Sequence, residues 1–340
     1  MSGVSPIDIG IILVATVAIW KGSDWLEGAS DQLATYYGLP LVVQGAVVAA
    51  IGSSFPELAS VVASALQGSL SLGVGAIVGS AIFNILVIPA VSGIATQGEM
   101  ESNRALVYKE AQFYMLAVSV LVITFAMAVI YYPVEGATLM GNVTRPLALV
   151  PVGMYGLYVF IQFQDTSDHE ADPSEAAGID VRRQWGFLLA GLLVILVSVH
   201  YLVHSVDVIG TALGVPQFIM GVTVIAGTTS LPDTLVSVRS AKDDKAVASI
   251  GNVLGSNTFD LLVAIPIGVL IVGEAAIDFE MAVPMFAILT MATLMLFTAL
   301  RTDMEMTTAE AYSLLVAYAT FVVWVVLETM GVIVGIIPNG

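Results

Sequence analysis

Apolar runs of membrane-crossing length, divided by short polar turns, occupy most of the chain. Ile11–Trp20, Met115–Tyr132 and Phe187–Val199 carry no charge, and about 20 such residues cross a bilayer as a helix. The pattern predicts spans at about Ile7–Tyr36, Leu41–Leu66, Ser71–Ile94, Val107–Tyr132 and Leu147–Phe163. A second set follows at about Trp185–Leu213, Pro216–Ala241, Ala246–Val272, Ile277–Leu300 and Thr308–Ile337. Between the sets lies a polar segment rich in Asp, Glu, Ser and Ala. The expected organisation is a five-helix unit over 1–163, a linker over 164–184 and a second five-helix unit over 185–340. The fold class is an all-α polytopic membrane protein of about ten transmembrane helices.

Polar residues interrupt this pattern at corresponding places. Ala50 to Asn84 reads AIGSSFPELASVVASALQGSLSLGVGAIVGSAIFN, and Ala226 to Asp260 reads AGTTSLPDTLVSVRSAKDDKAVASIGNVLGSNTFD. Ser54 and Ser230, Glu57 and Asp233, Gly79 and Gly255, Ser80 and Ser256, and Asn84 and Asp260 are all 176 positions apart. A constant register without insertion marks an internal duplication. An acidic residue within a span costs at least ~2.5 kcal/mol on insertion scales. Its presence at equivalent places in both copies calls for a compensating charge, most simply a cation held between them.

The prolines beside the acids fit that reading. Pro56 lacks an N–H, so the Gly52 carbonyl loses its helical partner, and Pro232 does the same to the carbonyl of Thr228. In lipid a freed carbonyl needs another partner, and a cation is one. Ser54 and Glu57 share a helix face at i, i+3, as do Ser80 and Asn84 at i, i+4; Ser230 with Asp233 and Ser256 with Asp260 repeat both spacings. The two motifs thus offer carboxylate, hydroxyl, amide and carbonyl oxygens, with no Cys or His. Such hard ligands suit calcium, sodium or potassium rather than zinc or copper. Glu57 and Asp233 together neutralise one divalent ion. Asp260, if ionised, leaves room for a further monovalent charge; if protonated, it is a neutral ligand. Gly73, Gly75, Gly79, Gly251 and Gly255 allow close helix approach, which is an ordinary packing role.

Charge and composition narrow the picture further. The 340 residues are 58% hydrophobic and 11% charged, with mean hydropathy +0.94, against about 25% charged in soluble domains. A net charge of −17 argues against a nucleic-acid partner. The absence of cysteine removes disulfides, thiolate metal sites and cysteine nucleophiles. Acids of the central linker, including Asp165, Asp168, Glu170, Asp172, Glu175 and Asp180, read as a solvated surface, and their spacing fits no EF-hand loop. With no basic n-region, the first span is expected to be retained rather than cleaved. Placing both termini outside and the linker in the cytoplasm puts Arg104, Lys109, Arg182, Arg183, Arg239, Lys242, Lys245 and Arg301 inside and Arg145 outside. Five spans per half then insert the second copy upside down, the inverted-repeat plan of secondary transporters.

Other polar groups have plainer readings. Lys21 and Asp24 stand at i, i+3 for an ion pair, with Glu27 and Asp31 following on the same span; structural or gating pairing is the expected role. His200, His204 and Asp207 lie near a span end, where interfacial solvation accounts for them. Trp20, Trp25, Tyr131, Tyr132 and Trp185 read as interfacial aromatics.

GSSFPEL with GAIVGSAIFNIL, and GTTSLPDTLVS with ASIGNVLGSNTFDLL, resemble the two α-repeats of the cation/calcium exchanger superfamily. The resemblance implies sodium/calcium exchange by alternating access, with the first and sixth spans moving against the rest. It makes Glu57 and Asp233 the central calcium carboxylates, with Ser54, Ser80, Ser230 and Ser256 as side-chain ligands and Asn84 and Asp260 flanking them. Backbone oxygens of Ala50, Ser53, Ala226 and Thr229 would complete the sites. No resident cofactor is expected; the transported ions are calcium and sodium, with potassium or protons as alternatives, and the simplest unit is a monomer in the bilayer. Ala76, Ala81 and Thr228 depart from the family pattern. The forms around GSAIFN and SNTFD are nearest the potassium-dependent branch, where an Asp at position 260 accompanies potassium co-transport. A proton-coupled exchanger uses the same scaffold, a channel the same ligands. A membrane-embedded hydrolase needs a nucleophile with a base, or a metal with His ligands, and neither motif has them.

Overall fold

The computed structural model describes residues 5–38, 50–96, 100–101, 109–165, 178–242, 246–302 and 304–332. The first half contains α1 (Pro6–Tyr36), α2 (Ala50–Ser53), α3 (Phe55–Leu66), α4 (Leu70–Leu86), α5 (Ile88–Ala95), β1 (Met100–Glu101), α6 (Ala111–Tyr131), β2 (Met140–Thr144) and α7 (Arg145–Asp165). The second contains α8 (Val181–Leu213), α9 (Gln217–Met220), α10 (Ala226–Thr229), α11 (Leu231–Lys242), α12 (Ala246–Phe259) and α13 (Ile265–Val272). It ends with β3 (Glu274–Asp278), α14 (Phe279–Arg301), β4 (Glu305–Met306) and α15 (Thr308–Thr329).

Among the described residues eight helical stretches are long and apolar enough to cross a membrane, and a ninth is bent by 40° between Gln217–Thr229 and Leu231–Val238. The span expected at 41–66 is described only from Ala50 onward, as α2 and α3. The protein is an all-α polytopic membrane protein. Its lipid-facing side chains are apolar, as at Ile7, Leu13, Val14 and Val17 of α1, because a bilayer rewards what water would not. The motif-bearing helices lie inside: 83% of the apolar window of Leu70–Ala95 and 67% of that of Ser249–Val272 is buried, against 22% for α1, α7 and α15.

Local chemistry sets the helix ends. Ser5 accepts from Ile7 N–H at 3.2 Å with Pro6 in the first turn, Asp180 from Arg183 N–H at 3.2 Å, and Asp278 from Met281 N–H at 3.2 Å. Thr307 and Glu310 form a capping box at the start of α15. Gly214 stops α8 in the left-handed region at φ 69°. The arginine assigned to the outer face, Arg145, donates from Nε to the Leu270 carbonyl at 3.2 Å near the end of α13.

Two hydrophobic clusters divide the interior. The larger joins α3–α7 to α9 and α12–α15 through residues such as Ile77, Tyr114, Phe125, Leu261, Phe286 and Leu296. The smaller unites α1 with α8 through Ile19, Leu26, Ile195, Val199 and Leu202 and touches the rest through Ala59, Leu72 and Ile225. α1 and α8 cross at glycines: a Cβ on Gly191 would stand 2.7 Å from the Gly22 carbonyl, so only glycine lets these backbones meet. α1 is a continuous helix through Gly22, with no break there.

Sequence periodicity does not foretell the short strands. β1 pairs antiparallel with β4, and β2 with β3. Each pair ties one half to the other, and the pairs sit at opposite ends of the bundle because β2 lies one span beyond β1. Each joins the segment after the third span of one half to the segment before the last span of the other, as a two-fold relation between halves requires.

Candidate functional site

Each helix break falls two residues before its proline. α2 ends at Ser53 and α3 begins at Phe55, leaving Ser54 between them at φ −87°, ψ 8°; α10 ends at Thr229 and α11 begins at Leu231, leaving Ser230 at φ −82°, ψ −5°. Glu57 and Asp233 lie in the first turn after each break. Ser80 and Asn84 project from α4; Ser256 comes from α12, and Asp260 opens a π-helical turn over Asp260–Ala264. That turn has a sequence origin: Asn84 and Pro89 are five apart, Asp260 and Pro266 six. The extra residue is absorbed as a π-bulge, a form frequent at functional sites. A second π-helical turn, Gly221–Ile225, precedes α10.

The two halves meet through hydroxyls. Ser54 Oγ lies 2.6 Å from Ser256 Oγ, and Ser80 Oγ 2.7 Å from Ser230 Oγ. These contacts are mates under the duplication, since Ser54 corresponds to Ser230 and Ser80 to Ser256. Ser53 Oγ joins Ser256 Oγ at 3.3 Å. Ser80 donates to Glu57 Oε1 at 3.4 Å, with Thr229 also beside Glu57; Ser256 and Asn84 lie beside Asp233, and Ser54 beside Asp260. Helix packing makes this proximity possible. A Cβ on Gly79 would strike the Val222 carbonyl, and one on Gly221 the Leu72 carbonyl; α4 therefore runs against the π-helical turn of the opposite half with no side chain between.

Glu57, Asp233 and Asp260 are 1%, 3% and 1% exposed, and Asp260 interacts electrostatically with the other two. Several of their oxygens have no hydrogen-bond partner: Glu57 Oε2, Asp233 Oδ2 and both oxygens of Asp260, together with Asn84 Oδ1. Buried carboxylate oxygens left unpaired are costly unless something positive meets them. Among the described residues no three Asp, Glu, His or Cys side chains form a metal-holding group by themselves. A cation between these carboxylates would draw the rest of its shell from serine hydroxyls, the Asn84 amide and carbonyls, the weaker set suited to an ion that must leave again.

Of the backbone candidates, Ala50 and Ser53 bound α2, and Ala226 and Thr229 bound α10. The Ala226 carbonyl accepts from Ser230 N–H at 3.0 Å and from Thr229 Oγ1 at 3.4 Å. Asn257 is a participant beyond the predicted ligands. It accepts from Asn84 Nδ2 at 3.0 Å and donates to the Ala81 carbonyl at 3.3 Å and Tyr114 Oη at 3.5 Å. With its NH2 held there, Asn84 turns its Oδ1 free. The signal was present in SNTFD, where Asn257 stands opposite Ala81 in the duplicate; which asparagine fixes which needs the packed halves.

Lys21 donates to Asp24 Oδ2 at 2.6 Å, as the i, i+3 spacing predicts. His200 and His204 are exposed and the structure does not bring them to the three carboxylates, while Asp207 accepts from Gln217 Nε2 at 2.7 Å.

Comparison with known proteins agrees with this architecture. The family model described as sodium/calcium exchanger protein matches residues 7–164 and 183–327. A sodium/calcium exchanger of Methanosarcina acetivorans is 25% identical over 346 residues, covering 92% of this chain and 97% of that protein. An uncharacterized membrane protein of Methanocaldococcus jannaschii is 26% identical over 275 residues, covering 81% and 85%. The solved structure of the sodium-calcium exchanger NCX_Mj soaked with 10 mM Na+ superposes with a TM-score of 0.62 at 22% identity, over 93% of this chain and 98% of that one. With both repeats and nearly the whole length matched, the chain belongs to the sodium/calcium exchanger protein family.

Proposed function

We propose that the protein is a sodium/calcium antiporter that exports Ca2+ in exchange for Na+ by alternating access. The observation that carries this reading is the convergence of Glu57 and Asp233 from opposite halves, each with a buried oxygen that no protein donor meets. Two carboxylates match one divalent ion or two monovalent ones, so calcium and sodium compete for one set of oxygens and cannot both occupy it. That exclusivity is what couples their fluxes. Ser54, Ser80, Ser230 and Ser256, with Asn84 and the carbonyls of Ala50, Ser53, Ala226 and Thr229, supply the remaining ligands.

Alternating access is supported by the division of the interior. α1 and α8 supply most of the smaller cluster and pack on one another at Gly22 and Gly191, so they can shift as one body against the larger core while the site stays fixed within it. The inner position of most lysines and arginines supports both termini outside and a cytoplasmic linker.

Asp260 favours a second reading of the coupling ion. A third buried carboxylate with both oxygens unpaired is balanced by a co-transported potassium ion or by a proton. The test is calcium-45 uptake into proteoliposomes with sodium, potassium and proton gradients imposed one at a time. Sodium-driven uptake alone is expected; uptake driven only by a pH gradient would replace sodium with protons in the cycle.

A further inference from the structure

The duplicated site is nearly symmetric, but its approaches are not. α1 carries Glu27 and Asp31 at i, i+4, hence on one face and stepping toward the end of the helix. The register that relates the repeats puts Val203 opposite Glu27 and Asp207 opposite Asp31. Val203 is fully buried in the cluster between α1 and α8, and Asp207 is engaged by Gln217. One approach therefore has a carboxylate where the other has a hydrocarbon.

Glu27 also stands at the edge of the ligand set. A Cβ on Gly52 would lie 3.8 Å from the Glu27 Cα and 3.9 Å from Ser30 Oγ, so this turn of α1 rests directly on the broken helix α2. Glu27 is only partly buried and interacts electrostatically with Asp233. Asp31, one turn on, is exposed. Asp24, a turn before, is paired with Lys21 at 2.6 Å and belongs to that ion pair.

We infer that Glu27 is a capture residue for divalent cations, serving the central site from the face at which α1 ends and having no counterpart on the other face. The inference rests on the exchange reading above and adds a built-in difference in calcium affinity between the two sides. A carboxylate that adds its charge to a buried acidic site raises the local cation concentration, and focusing of this kind speeds association by ~10- to 1,000-fold. With α1 ending in the cytoplasm, the favoured face is the one where calcium is scarce.

The test measures calcium-45 flux in membrane vesicles of both orientations, with Glu27→Gln and Glu27→Asp beside the parent. The face is identified by labelling Tyr37→Cys, at an exposed position in a chain without cysteine, with an impermeant maleimide. Glu27→Gln is expected to raise the half-saturating calcium concentration by about tenfold, the low end of that range, on the α1-terminal face only. Glu27→Asp should restore most of the difference, and molar salt should shrink it by screening, which a packing role would not. An unchanged value on both faces, or an equal rise on both, overturns the inference. If the parent carries no sodium-dependent calcium flux, the exchange reading fails by itself. Calorimetric calcium binding to purified protein then decides Glu27: weaker binding by Glu27→Gln sustains its role, and equal binding ends it.

Discussion

Replacing Glu57 by Gln separates the cost of a ligand from the cost of a fold. The substitution keeps size and shape, and the hydrogen bond that Ser80 donates to the parent side chain is long at 3.4 Å; its loss costs well under the ~1 kcal/mol of an average hydrogen bond. Removing one of three neighbouring acids relieves like-charge crowding, so the ion-free variant should be at least as stable as the parent. What disappears is the cation. Removing a metal's outer-shell partner costs ~10- to 100-fold in affinity, so loss of a direct carboxylate ligand should exceed the upper value. A ligand at a hundred times its Kd stabilises a protein by ~2.7 kcal/mol, and a hundredfold weaker Kd removes nearly all of that. At ~2–4 °C per kcal/mol for domains of 150–250 residues, the parent should gain about 5 °C on adding calcium and the variant almost nothing. Thermal unfolding of detergent-solubilised protein with and without calcium reads this directly, beside calcium-45 exchange in proteoliposomes, which should be abolished. A variant stabilised by calcium as much as the parent, or still exchanging at the parental rate, would refute the assignment of Glu57.

Asp260→Asn should leave sodium/calcium exchange measurable and remove any acceleration by potassium; potassium-independent flux in the parent rejects the potassium reading at once. Asn257→Ala releases the Asn84 amide from its 3.0 Å acceptor and should weaken calcium binding by ~10-fold while leaving the oligomeric profile on size exclusion unchanged. Gly79→Val puts a branched side chain against the Val222 carbonyl and should destabilise by ~1–3 kcal/mol or more, seen as a lower unfolding temperature in both the presence and absence of calcium. Calcium affinity should fall on acidification, because protons compete for the carboxylates that must be ionised to bind; affinity constant from neutral to acidic pH would contradict a carboxylate site.

Much of the site is legible in one dimension because the duplication prints it twice. Glu57 and Asp233, Ser54 and Ser230, Ser80 and Ser256 stand out as polar groups repeated at a fixed interval within apolar runs. Pro56 and Pro232 mark the breaks closely: each falls two residues before its proline, at Ser54 and Ser230, rather than at the preceding residue. Even the π-bulge at Asp260 is written in the spacing to Pro266, although a single extra residue in an apolar run is easily passed over. Asn257 and the paired strands are different: their partners, Asn84, Ala81, β3 and β4, lie in the other half.

The sequence by itself determined the spans, the broken helices and the kinds of polar group set within them, since hydropathy, proline geometry and desolvation act locally. The tertiary structure decided which hydroxyl of one half meets which hydroxyl of the other, that Asn257 holds Asn84, and that the turn of α1 carrying Glu27 rests on the broken helix α2. Those pairings depend on how closely two backbones approach at Gly79 and Gly221, and that distance is set by the packing of both halves at once.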